Sequence, residues 1–175
     1  MYAGHIGFAL AAKGLRDSVP LWLLVFAAQL PDWADAGLCL AGFRTSTPGV
    51  YSHSWLAIAA LASVVSVLYY VASRDVAALA ILATVVLSHL VGDYVTGIKP
   101  TWPGGPMVGL GLYSCPVLDF VVETAIIIGG WLIYRRSFSA ARRSTLAVRL
   151  MPVVLILFQL GAVIAFTLSP PLRKC

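Results

Sequence analysis

Charge is scarce in this chain: 11% of its 175 residues are Asp, Glu, Lys or Arg, 60% are hydrophobic, and the mean hydropathy is +0.91. So little charge excludes a soluble domain of this size and makes a bilayer the natural solvent. Cysteine is also sparse. Cys39, Cys115 and Cys175 show no C-x-x-C spacing, which removes the usual thiolate metal knuckle and redox pair, and we read them as small buried hydrophobes. No basic region precedes the first apolar stretch, so the N-terminal segment is expected to belong to the fold rather than to a cleaved signal. Linkers and repeats are missing as well, and a single membrane-embedded domain over 1–175 is expected. A net charge of +5 would suggest nucleic acid in a soluble protein. Here the arginines lie in short loops beside apolar runs, a pattern that reports topology; membrane lipid is the expected partner, nucleic acid is not, and the oligomeric state stays open.

What the chain does have is long apolar runs. Trp55 to Val71, Val76 to Thr96, Val117 to Tyr134 and Ala147 to Leu168 are long enough, or nearly so, to span. Ahead of them Ala3 to Leu15 and Val19 to Leu30 are apolar but short, and the polar turn Lys13 to Ser18 between them predicts a helical hairpin packed with the bundle. The expected fold is therefore an all-α polytopic bundle of about six helices, four of them full spans. Gly42 to Ser52 and Gly97 to Cys115 are rich in Gly, Pro, Ser and Thr and read as loops. The stretch with Arg135, Arg136, Arg142 and Arg143, followed by Arg149, is densely basic, and the positive-inside rule places it in the cytoplasm. Counting back, the turns with Lys13, Arg16 and Arg74 are inside and both Gly-rich loops are outside.

On this map His5, Asp32, Asp35, His53, His89, Asp93, Asp119 and Glu123 all fall at the outer ends of their helices. Ionisable groups cost up to about 2.5–3.5 kcal/mol each at the centre of a spanning helix on insertion scales, and they are usually functional when they occur in such helices. His89 and Asp93, like Asp119 and Glu123, are i,i+4 pairs, and Asp32 and Asp35 are i,i+3, so each pair shares a helix face. Imidazole and carboxylate together suit zinc or another first-row divalent ion, and several carboxylates allow two or three ions to be bridged. Blander roles compete. Asp32 and Asp35 fit turn residues after Leu-Pro, Ser52 or Ser54 fits a helix cap with His53 incidental, and Asp119 fits the dipole of its helix N-terminus. A joint metal site accounts for every histidine in the chain.

The motifs Gly4-His5-Ile-Gly7, Leu30-Pro31-Asp32, Ser52-His53-Ser54 and Ser88-His89-Leu-Val-Gly-Asp93 resemble those of the YdjM-like, membrane-bound metal-dependent hydrolases, described as LexA-binding inner-membrane proteins, over about the first 125 residues. The final helix, 147–168, lies beyond that core. This family is distantly similar to the zinc-dependent phospholipase C and single-strand nuclease group, all-helical enzymes with His-x-x-x-Asp and His-x-x-x-Glu ligand pairs. His89 and Asp93 match the first pair, while Asp119 stands where the second has its histidine. Family members also often carry Pro-Asp-x-Asp-His and Arg-Gly-x-x-His-Ser, from which Pro31-Asp32-Trp-Ala-Asp35 departs, and Arg44 sits nine residues before His53 rather than four.

The resemblance implies a hydrolase acting on a phosphoester, with a lipid substrate attractive for a site at the outer membrane face. His5, Asp32, His53, His89, Asp93 and Asp119 are the expected metal ligands, with zinc the expected ion and one to three ions held. Asp35 and Glu123 are assigned to catalysis, as general base or further ligand. Arg44 and Lys99 are placed to hold a phosphate, and Trp102 to lie at the headgroup level. A plain interfacial turn accounts for the 97–106 loop equally well. Two non-enzymatic readings stay open: ion or proton handling by the same His/Asp cluster, and a basic cytoplasmic loop that binds anionic lipid or a partner.

Overall fold

A computed structural model describes residues 3–43 and 47–168. Eight α-helices are present among them: α1 Gly4–Leu15, α2 Leu21–Ala28, α3 Leu30–Leu40, α4 Trp55–Ser73, α5 Val76–Thr96, α6 Pro116–Arg136, α7 Ala140–Arg143 and α8 Leu146–Leu168. Four of these, α4, α5, α6 and α8, are long and apolar enough to cross a membrane. Their bounds agree with the spans expected from the sequence to within two residues at each end. In a bilayer the helix satisfies its own backbone. Some polar side chains within the spans bond back to their own helix: Ser63 donates to the Ala59 carbonyl at 2.8 Å and Thr84 to that of Ala80 at 2.8 Å.

The chain departs from expectation after α2. The second helix of the expected hairpin, Val19 to Leu30, does not end the helical run: the chain bends by 58° and continues as α3. Pro31 stands in the first turn of α3, where a missing N–H breaks no intrahelical bond. The 97–115 loop also holds more order than its composition suggests. Lys99–Pro100 (β1) pairs antiparallel with Met107–Val108 (β2), and a 3-10 turn follows at Leu112–Ser114. Cys115, which caps α6, is an exposed free thiol, not the buried hydrophobe expected; the loop that precedes it lifts it to the surface.

Helix α1 lies deep in the bundle because glycine lets it approach α6. A Cβ on Gly130 would stand 1.9 Å from the Gly7 carbonyl oxygen, and one on Gly7 would stand 2.5 Å from that of Ile126. The start of α1 is fixed from two sides: the Ala3 amide donates to Oε1 of Gln159 on α8 at 2.8 Å, and the Gly4 amide to Oε2 of Glu123 on α6 at 2.9 Å. These are helix N-terminal amides with no intrahelical acceptor. Within α8, Pro152 cannot donate to the Val148 carbonyl four residues back. The indole Nε1–H of Trp131 donates to it instead at 3.0 Å. The main core is built from α1, α2, α4 and α5, around Leu24, Ala27, Ile58, Leu82, Val85 and Val86.

Candidate metal centre

Four helices carry His5, Asp32, His53, His89 and Asp93 to one point. His5 is in the first turn of α1, Asp32 in that of α3, His53 lies two residues before α4, and His89 and Asp93 share a face of α5 one turn apart. Ligand-type atoms of His5, His89 and Asp93 lie within 4.8 Å of one another, and so do those of Asp32, His53 and His89. His5 and His89 stack nearly parallel, their ring centres 3.7 Å apart. His53 Nε2 is 3.1 Å from Asp32 Oδ1 and 3.4 Å from Asp93 Oδ2. His89 Nε2 is 3.3 Å from Asp93 Oδ2, and His5 Nε2 is 3.5 Å from Asp93 Oδ1. Asp93 thus turns one oxygen toward His5 and the other toward His53 and His89.

The far nitrogens of these rings are fixed by groups behind them. His89 Nδ1 lies 2.8 Å from the Ala28 carbonyl, which only accepts, so Nδ1 carries a proton. That carbonyl is free to accept because α2 ends at the bend. A neutral His89 therefore presents the Nε2 lone pair to carboxylate oxygens, and this buried nitrogen makes no hydrogen bond within the protein. The same is true of both ring nitrogens of His5, whose side chain is wholly buried. Buried polar atoms without partners are costly. Imidazole lone pairs set against carboxylates need a proton or a metal ion between them, and three imidazoles with two carboxylates form a donor set fit for a first-row divalent ion.

Most of the cluster is sealed. His5, His53, His89 and Asp93 are at most 3% exposed, whereas the Asp32 side chain is 44% exposed and marks the open edge. Lys99, on β1, reaches in from the hairpin and places Nζ 3.2 Å from Asp93 Oδ2. The hairpin is pinned to α4 by the Trp55 amide, which donates to the Thr101 carbonyl at 2.9 Å, and by the edge-to-face packing of Trp55 on the exposed Trp102.

The remaining sequence-derived residues are placed differently. Asp35 does not enter either donor group; its Oδ1 accepts from Ser52 Oγ at 2.7 Å, and Ser52 Oγ lies 2.7 Å from His53 Nδ1. Glu123 accepts from the Gly4 amide. Asp119 is buried near the start of α6, outside both groups, with Oδ1 making no hydrogen bond. Arg44 lies outside the described residues. The helix cap before α4 is Ser54, whose hydroxyl accepts from the Ala57 amide, so Ser52 is left to serve His53. Ser52 and the Ala28 carbonyl were missed from the sequence; the doubled serine around His53 was the signal for the first, and nothing pointed to the second.

Fold and site together define a polytopic helical membrane protein with a buried His/Asp centre able to hold metal. The chain belongs to the YdjM inner membrane protein family, whose model matches residues 2–168 and so takes in the final helix, beyond the 125 residues that carry the motifs. No curated protein and no solved structure matches the chain.

Proposed function

We propose that this protein is a metal-dependent hydrolase of phosphoesters, with its centre facing the extracytoplasmic side of the membrane. The observation that carries the reading is the convergence of three imidazoles and two carboxylates, with buried ring nitrogens unpaired toward the acids. Zinc fits this donor set best. Asp32, His53 and His89 would hold one ion, and Asp93, which reaches toward both histidine groups, would share a second with His5. Bound divalent ions lower the pKa of a coordinated water to about 7 and polarise a phosphoryl oxygen.

The chain's own residues supply the rest. Lys99 brings a cation to the mouth of the centre, where it orients a phosphoryl oxygen. Asp32 borders the opening through which substrate and water arrive. Exposed indoles at Trp33, Trp55 and Trp102 suit the interface depth and support a phosphoester that carries an apolar chain. Placement of the site outside rests on the basic segment at the opposite end of the bundle.

The test is hydrolysis by the purified, zinc-loaded protein of a lipid phosphoester in vesicles and of the same headgroup in soluble form. Phosphate-bearing product that appears with zinc and disappears on chelation is the expected result. If the metal-loaded protein cleaves neither substrate while dissipating an ion gradient across the vesicles, ion handling replaces hydrolysis as its function.

A further inference from the structure

Asp35, Ser52 and His53 form a chain of hydrogen bonds that ends behind the metal-facing nitrogen of His53. Ser52 Oγ lies 2.7 Å from Asp35 Oδ1 and 2.7 Å from His53 Nδ1, with the Gly49 carbonyl a more distant 3.4 Å away. Ser52 is wholly buried and His53 nearly so. A hydroxyl has one proton to donate. As a carboxylate Asp35 only accepts, so the Ser52 proton points to Asp35, and Ser52 Oγ must in turn accept from Nδ1–H of His53. A neutral His53 then keeps its lone pair on Nε2, the atom that faces Asp32 and Asp93.

From this geometry we infer that Asp35, acting through Ser52, is a positioning residue that selects the metal-binding tautomer of His53. The inference deepens the metal-centre reading above and assigns Asp35 a place behind a ligand rather than at the reacting atoms. Substitutions of Asp35 and Ser52 test it. Asparagine in place of Asp35 can turn either its N–H or its carbonyl oxygen to Ser52 Oγ, and with the N–H toward it the Ser52 proton is free to point at His53 Nδ1. In that arrangement the imidazole carries its proton on Nε2, the atom that must be bare to ligate. Alanine lets Ser52 fall back on the Gly49 carbonyl and likewise leaves the tautomer unforced.

The experiment is a zinc competition titration of the full chain in detergent, paired with 15N shifts of the His53 ring in the metal-free protein. Ser52→Ala is expected to weaken zinc binding roughly 10–100-fold, the usual cost of losing such support, and to leave the ring proton no longer confined to Nδ1. Asp35→Ala and Asp35→Asn are expected to shift affinity and tautomer in the same direction, and Ser52→Thr to keep both native. Native affinity with the ring proton still on Nδ1 in both Ser52→Ala and Asp35→Ala overturns the inference. Should the native chain itself bind no zinc, the proposed function falls, and the tautomer shift alone decides whether the relay exists.

Discussion

Among the described residues Lys99 is the one cation in contact with the cluster, and its contribution separates substrate from metal. Removing a charge-assisted hydrogen bond costs about 1.5–3 kcal/mol, so Lys99→Met should lower kcat/KM on a phosphoester by roughly 10–100-fold. Zinc content should be unchanged, because Lys99 competes for Asp93 rather than completing the donor set; loss of zinc from this variant would show that Lys99 supports the site's architecture instead. At this scale much was legible in the sequence. His89 and Asp93 stood out because an imidazole and a carboxylate one turn apart on an apolar helix need partners. The roles of Asp35 and Glu123 were not legible, since both depend on which backbone or hydroxyl group the fold brings opposite them.

The helices show how close packing carries His5 to the site. Gly129 and Gly130 are neighbours on α6, yet a Cβ on Gly129 meets nothing within 4 Å while one on Gly130 runs into the α1 backbone. Gly129→Ala should raise thermal stability in detergent by up to about 1 kcal/mol through helix propensity. Gly130→Ala should lower it by about 1–3 kcal/mol and weaken zinc binding, because α1 carries His5; equal melting temperatures for the two would refute the close approach. Trp131→Phe should cost about 1–3 kcal/mol by leaving the Val148 carbonyl without a donor, and a melting curve superimposable on the native one would contradict that account. Span positions were readable because length and hydropathy alone dictate them. The bend at α2–α3 and the β1–β2 hairpin were not, because Leu-Pro-Asp and a Gly/Pro-rich stretch signal a break without giving the direction the chain takes afterwards.

Across the whole molecule, the His/Asp centre and the loop ion pairs Arg16–Asp75 and Lys13–Asp17 occupy opposite ends. At the end away from the cluster, Arg16 pairs with Asp75 at 3.1 Å, and Asp75 caps α5 by accepting from the Ala77 and Ala78 amides. These amides and the Arg16 guanidinium hold the Asp75 carboxyl below its ordinary value, as Lys13 does for Asp17. A depressed folded-state pKa means that the stabilisation is fully present above the unfolded value of about 3.9 and is lost as pH falls through the lower folded value. Asp75→Asn should therefore flatten the acid limb of the stability profile below about pH 4 and leave its neutral-to-basic part parallel to the native; an unaltered acid limb would refute the linkage. Orientation has its own probe in Cys115, exposed near the cluster end of α6. In a chain that keeps it as the single cysteine, a membrane-impermeant maleimide should label it from outside the cytoplasmic membrane, and labelling only in inverted vesicles would reverse the topology.

The central claim is that these five side chains hold metal. Elemental analysis of the detergent-purified native chain, beside a His89→Ala, Asp93→Ala double variant, tests it most directly. The account predicts one or two equivalents of zinc or a similar ion in the native protein, by the two donor groups, and none in the variant. A native chain that stays metal-free after reconstitution with excess ion, or a variant that retains full metal content, would contradict it.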